Sequence, residues 1–329
     1  MANTMSDVAN KAAWLTEAKA NPSRLTMLPC LSLAQMRSLS RMQPWQSTQS
    51  IGRSKTMASL FKTSQTYWAL TSLEKSTMLD QMSRTSRRVT EFYPCPEILT
   101  SKIPEQVSYT DAVVLPLAIS TASAGLYQRA TSSCPTRLPS PKSSGKVILI
   151  WGGSSSVGST AIQLAVASGV QVITTASKHN HDYCSKLGAK AVIDYNSSSV
   201  ADDIVAVIKD TGAEFAGIYD SISLPETFKH CFEVLQKAGG SKNMATVLPP
   251  PEDKPSDLNV QGVFAITIAN QHKEVGDAVW QKFVPGAIQS GDLKCLPEPL
   301  VVGKGLDSVQ KGLDKSKAGV SAKKVVIEL

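Results

Sequence analysis

The sequence predicts an α/β fold, a doubly wound parallel sheet, over its last two thirds. Two observations carry that prediction. Short apolar runs alternate with amphipathic stretches at regular intervals from about Ile98 onward. A glycine- and serine-rich turn lies directly between the first apolar run and the segment after it.

The elements follow in order. VILIW (Val147 to Trp151) is a buried-strand pattern, VQVITT (Val170 to Thr175) a second, and AVIDY (Ala191 to Tyr195), FAGIYD (Phe215 to Asp220) and NMATVL (Asn243 to Leu248) continue the series. Helical segments separate them: Ser159 to Ala167, His181 to Leu187, Val200 to Lys209 and Pro225 to Lys237. FAIT (Phe264 to Thr267) is the expected next strand, and a long helix is expected from about Lys273 to Ser290. Right-handed crossovers between parallel strands then give helices on both faces of the sheet.

The first strand runs into Gly152-Gly153-Ser154-Ser155-Ser156-Val157-Gly158. Gly153, Ser155 and Gly158 hold the spacing of the dinucleotide fingerprint G-x-G-x-x-G, with serine in the middle. The first glycine is expected to allow the tight turn and the last to let the helix pack close. The helix N-terminus offers free N–H groups and a positive dipole end to a pyrophosphate. Ser154, Ser155 and Ser156 add hydroxyl donors. The alternative is a plain Gly/Ser turn.

An acid about 20 residues onward would bind a free ribose 2′-hydroxyl. The second strand ends instead in Thr175-Ala176-Ser177-Lys178, with no carboxylate. Ser177 and Lys178 suit a 2′-phosphate, and Tyr183, one turn into the next helix, is a third candidate. This favours NADP(H) over NAD(H). The alternatives are a solvated Lys178 and a packing role for Tyr183. Tyr219, Asp220 and Ser221 close the fourth strand, and Leu248, Pro249 and Pro250 the fifth. They are candidates to line the adenosine and nicotinamide regions respectively, with packing the alternative for Tyr219 and Leu248. Met244 and Trp280 read as core.

Composition narrows the function classes. The 329 residues carry 42% hydrophobic and 19% charged side chains, which excludes global disorder. A net charge of +7 is too mild to argue nucleic-acid binding. No run of about 18 apolar residues predicts a transmembrane helix, and the opening MANTMSDVANKAAWL lacks a secretory pattern. Six scattered cysteines (Cys30, Cys95, Cys134, Cys184, Cys231 and Cys295) argue against a disulfide scaffold and fit the cytoplasm. No histidine precedes His179, so the N-terminal part has no histidine to ligate zinc. His179, His181, His230 and His272 read as lone surface residues.

The first third differs in texture. All nine arginines fall between Arg24 and Arg137, and only Gly52 breaks the glycine-free stretch from Lys19 to Thr100. No sustained apolar period appears there.

WGGSSSVGSTAIQLA, VITTASKHNHDY, SLPETFKHCFEVL, ATVLPPPEDKPSD and the C-terminal LPEPLVVGKGLDSVQKGLDKSKAGVSAKKVVIEL resemble the fungal enoyl reductase-like branch of the medium-chain dehydrogenase/reductase superfamily, which is similar to quinone reductases. The resemblance runs from about Ile98 to Leu329 and includes KAAWLTEAK (Lys11 to Lys19). It implies a Rossmann cofactor domain (107–268) between two parts of a GroES-like catalytic domain (1–106 and 269–329), with the cofactor in the cleft. It implies hydride transfer from NADP(H) to an activated C=C bond or a quinone, a small-molecule substrate and a possible homodimer. The candidate cofactor contacts are Gly153, Ser154, Ser155, Ser156, Val157, Gly158, Ser177, Lys178, Tyr183 and Leu248. No catalytic residue can be assigned.

Residues 24–96 do not resemble the family. Synonymous codons for Met36 to Phe92, read one nucleotide back, spell a string carrying the family signatures NPVDW, GTDxxGEV and GDRV, and Arg129 to Pro135 yields GYLKLP likewise. A frame-shifted segment is therefore expected; a genuine basic, Ser-rich extension is the alternative. The shifted string has GTD where zinc enzymes have a His-Glu pair, so a zinc-independent reductase is expected. A disrupted barrel would leave the last strand (Lys323 to Leu329) without its usual partners and the region before about Glu97 open to protease. It would also leave a cofactor-binding protein with little or no catalysis as the alternative function.

Overall fold

The computed structural model describes residues 11–14, 26–29, 99–128, 134–136, 138–139 and 142–329. Of the two expected frame-shifted patches, Met36 to Phe92 lies outside them, and Arg129 to Pro135 lies outside them apart from Cys134 and Pro135.

Strands β1 (Lys11–Trp14) and β2 (Thr26–Pro29) pair antiparallel. Helices α1 (Tyr109–Ala112) and α2 (Pro116–Tyr127) follow. Ser108 caps α1 by accepting the Asp111 N–H at 3.0 Å, and Pro116 opens α2, where a missing N–H costs nothing. Together they make a 19-residue stretch that is long and apolar enough to cross a membrane by length and composition alone. Here Ile119, Ala122 and Leu126 are buried in the core, and α2 lies against the helix after the glycine turn.

The sheet is built from β3 (Lys146–Trp151), β4 (Gln171–Thr175), β5 (Ala191–Ile193), β6 (Glu214–Asp220), β7 (Asn243–Thr246) and β8 (Asn259–Gly262). All pairings are parallel, in the order β5-β4-β3-β6-β7-β8. The connecting helices are α3 (Ser156–Ala167), α4 (His181–Lys186), α5 (Val200–Asp210) and α6 (Pro225–Lys237). Strand order reverses beside β3, so the crevice at its carboxyl end is the topological switch point.

The apolar runs have a direct cause. Ile148 and Ile150 join the core under α2 and α3, while Val147, Leu149 and Trp151 join the core under α5 and α6. Alternate side chains point to opposite faces, and both faces are covered. Each such aliphatic side chain contributes roughly 1.5–3 kcal/mol on burial.

The sixth strand is a correction. It is Asn259–Gly262, not Phe264 to Thr267; Phe264 is 54% exposed and Thr267 starts a helix. At the sheet edge only Val260 of this strand is buried, so no apolar run marks it.

After α7 (Thr267–Asn270), the expected long helix is helical throughout Lys273 to Ser290. It divides into α8 (Lys273–Gly276), a π-helical segment (Asp277–Phe283) and α9 (Val284–Ser290). The π segment precedes Pro285, whose ring and missing N–H disfavour a regular α ladder. Val279, Trp280, Phe283 and Leu293 join the same core as α2 and α3. Met244 and Trp280 are core, as expected. Strand β9 (Glu298–Lys304), α10 (Val309–Lys317) and β10 (Lys323–Glu328) complete the chain. Among the described residues, β10 pairs with β9 alone, in a two-stranded parallel sheet.

Candidate functional site

The turn after β3 is held by backbone. Gly153 N–H donates to Thr175 O at 2.9 Å, and Ser155 N–H to Gly152 O at 3.0 Å. The left-handed residue is Gly152, with φ +80°, rather than Gly153, where the fingerprint spacing places the turn. Gly153 is required for a different reason: a Cβ there would lie 2.2 Å from Thr174 Oγ1, between β3 and β4. Gly158 does what its position predicts, since a Cβ on it would lie 2.2 Å from Gly152 O.

Helix α3 starts at Ser156, three residues before the expected Ser159, because Ser155 is its cap. Ser155 Oγ accepts the Gly158 N–H at 3.0 Å and lies 2.9 Å from Ser221 Oγ. The N–H groups of Ser156 and Val157 find no acceptor among the described residues. The cap therefore occupies Ser155 internally and leaves two helix-end donors at the carboxyl end of β3.

Lys324, on β10, reaches this turn from 168 residues away, and its Nζ donates to Ser156 Oγ at 3.3 Å. Burial lowers its pKa, and no carboxylate pairs with it among the described residues. A desolvated cation on the first residue of α3 adds positive charge to the helix end. Nothing in the spacing of KKVVIEL singles Lys324 out, because a lysine on a short terminal strand reads as solvated. The chemistry of this turn suits a pyrophosphate: the Ser156 and Val157 N–H groups would donate to it and the Lys324 ammonium would supply charge.

The second corner lies at the end of β4. Ser177, half-buried, and Lys178, exposed, open a single 3₁₀ turn (Lys178–Asn180) leading into α4. Lys178 adds to the attraction that, with the Asn196 N–H as the larger cause, holds the Asp194 carboxyl below its usual range. The Tyr183 hydroxyl donates to Ser159 Oγ at 2.9 Å, tying α4 to α3. Burial pushes the Tyr183 phenol up to about 12. Tyr183 thus has a packing role as well as a place beside this corner.

The remaining candidates separate. Tyr219 is fully buried and donates to Thr121 O at 3.0 Å. Asp220 accepts from Thr227 Oγ1 at 2.6 Å and from the Ile222 and Ser223 N–H groups, each at 2.9 Å; burial nonetheless raises its pKa. Ser221 Oγ donates to Trp151 O at 2.6 Å. All three are internal struts, so the packing alternative holds for Tyr219. Leu248 is 42% exposed and, with Pro249 and Pro250, lies past the carboxyl end of β7. His230 is not a surface residue: its ring stacks on Trp151 at 5.7 Å and its Nδ1 is buried without a partner.

The doubly wound sheet, the glycine turn at the switch point and the free helix end define a dinucleotide-binding α/β unit of the Rossmann kind. A model of the family "zinc-binding dehydrogenase" matches residues 156–279. The chain is 39% identical over 240 residues to dehydrogenase orsE of Emericella nidulans, covering 69% of this chain and 67% of that one. It is 42% identical over 233 residues to the trans-enoyl reductase himH of Aspergillus japonicus, covering 71% and 66%. Among solved structures, a mycobacterial protein in complex with NADPH has the same fold, with a TM-score of 0.52, 22% identity and coverage of 71% and 70%. The chain belongs to the medium-chain dehydrogenase/reductase superfamily and is an enoyl reductase-like member of it. It spans about two thirds of the length of these curated relatives.

Proposed function

We propose that this chain is an NADP(H)-dependent, zinc-independent oxidoreductase that transfers a hydride to an activated C=C bond or a quinone of a small molecule. The observation that carries this reading is Lys324 held against the glycine turn with no counter-ion among the described residues. In this reading the Ser156 and Val157 N–H groups, the Ser154 and Ser156 hydroxyls and Lys324 hold the pyrophosphate, with Gly153 and Gly158 leaving room for it. Ser177 and Lys178 take the 2′-phosphate, with Tyr183 bracing the corner from α4. Leu248 gives the nicotinamide an apolar wall. When bound, the dinucleotide supplies the hydride. The protein's own part is to fix that group at the switch point and to keep water from the apolar wall.

Zinc independence rests on the sequence, since no histidine precedes His179. The domain division (1–106, 107–268, 269–329), a cytoplasmic location and a homodimer belong to the same proposal.

A second reading has its own observation. Residues 24–96 lack the family's motifs, and those residues stand where the relatives' catalytic domain should continue. A chain so altered binds the dinucleotide without turning it over. Fluorescence titration of the full chain with NADPH and NADH, followed by a screen of enones and quinones, decides. Tighter NADPH binding with turnover supports the reductase; NADPH binding without turnover selects the second reading; no dinucleotide binding overturns both.

A further inference from the structure

The corner at β4 is not built by its own loop alone. Asn180 is buried, and its Nδ2 carries two protons with two acceptors: Ser177 Oγ at 3.3 Å and Ser321 Oγ at 3.0 Å. Its backbone is fixed as well, because Asn180 N–H donates to Ser177 O at 2.8 Å. Ser321 sits 141 residues away, in the loop between α10 and β10. The backbone of that loop is bent on both sides of the exposed Ser321: Gly319 has φ +85° and Ala322, a non-glycine, φ +45°. His179 spans the same two hydroxyls, its Nε2 lying 2.9 Å from Ser321 Oγ and 3.3 Å from Ser177 Oγ.

We propose that Asn180 and Ser321 are positioning residues that aim the Ser177 hydroxyl at the ribose 2′-phosphate, so that the C-terminal loop takes part in cofactor selection. This rests on the cofactor reading above. The chemistry is directional. Ser177 Oγ accepts from Asn180 Nδ2, and where His179 Nε2 engages the nearer Ser321 Oγ the Ser177 O–H is left to donate. A phosphate only accepts, so a hydroxyl held as a donor suits it. Three residues beyond Ser321, the same segment delivers Lys324 to the pyrophosphate turn. One stretch of chain thus touches both phosphate corners, and a shift of that stretch is felt at both.

The test uses the full chain, titrated with NADPH and NADH by cofactor fluorescence. Ser321→Ala removes an exposed hydroxyl and no core packing. It is expected to weaken NADPH about tenfold, the worth of the Ser177 hydrogen bond to a charged group once its aim is lost, and to leave NADH unchanged. Ser321→Thr, which keeps the hydroxyl, restores wild-type affinity. Asn180→Ala repeats the selective loss, and a thermal melt reports its fold. Equal losses for both dinucleotides, or unchanged NADPH affinity in Ser321→Ala, overturn the proposal while wild-type preference for NADPH stands. A wild-type chain that binds NADPH no more tightly than NADH overturns the cofactor reading and this proposal together.

Discussion

The two corners proposed to hold phosphates are made from different materials. At the β3 turn the parts are backbone: three glycines with no room for a Cβ, a serine cap and two free N–H groups. At the end of β4 the parts are side chains, held by a buried asparagine and a serine from the C-terminal loop. A backbone site tolerates no change of shape but does not distinguish one dinucleotide from another. A side-chain site yields to substitution and can discriminate. Under the proposed reading, affinity resides in the backbone corner and selectivity in the side-chain corner.

The sharpest break of that contrast is Gly158→Ala. The new Cβ would press on Gly152 O, which is backbone and cannot swing away. We expect destabilisation by about 2–4 kcal/mol and loss of both dinucleotides. A thermal melt and a titration check this, and a wild-type melt would mean that the helix does not pack as described.

Lys324→Met comes next. It removes the charge shared by both cofactors, so NADPH and NADH should each weaken roughly 10- to 100-fold. The fold should not suffer, since an uncompensated desolvated cation is removed. The pH dependence has a definite sign. Burial lowers the Lys324 pKa in the free chain, and a bound anion raises it again. Affinity therefore falls as pH climbs from the free chain's value towards the bound one, and the methionine variant loses that dependence.

Lys178→Ala should cost about tenfold for NADPH and nothing for NADH. Equal losses in the two titrations would place Lys178 outside the selectivity corner. The smallest effect belongs to Tyr183→Phe, at about 1 kcal/mol of stability from the lost bond to Ser159. The phenol's pKa is raised by burial from 10.0 to about 12, so its contribution is present below the first value and is lost between the two. Denaturant melts across that window should steepen the alkaline decline of the wild type and leave the variant flatter.

Legibility in the sequence followed burial. Strands β3, β4, β6 and β7 announce themselves because both faces of a parallel sheet demand apolar residues. Strand β8 does not, since at the edge only Val260 is buried. Gly158 is legible because its constraint lies six residues away, at Gly152. The role of Gly152 is hidden, because the fingerprint spacing names its neighbour. Ser177 and Lys178 can be read as a pair, but their support cannot. Lys324 and Ser321 come from the end of the chain, and no local pattern links them to the turn. Tyr219 and Asp220 show the converse: strand-end position suggests a ligand, and only the contacts reveal internal struts.

Both cofactor readings need a pyrophosphate resting on the N-terminus of α3 beneath Lys324. The most direct measurement follows the backbone amide resonances of the full chain during an NADPH titration. The Ser156 and Val157 amides should shift farthest, and Lys324→Met should suppress the shift. Largest shifts at amides remote from this turn, with Ser156 and Val157 unmoved at saturation, would contradict that placement.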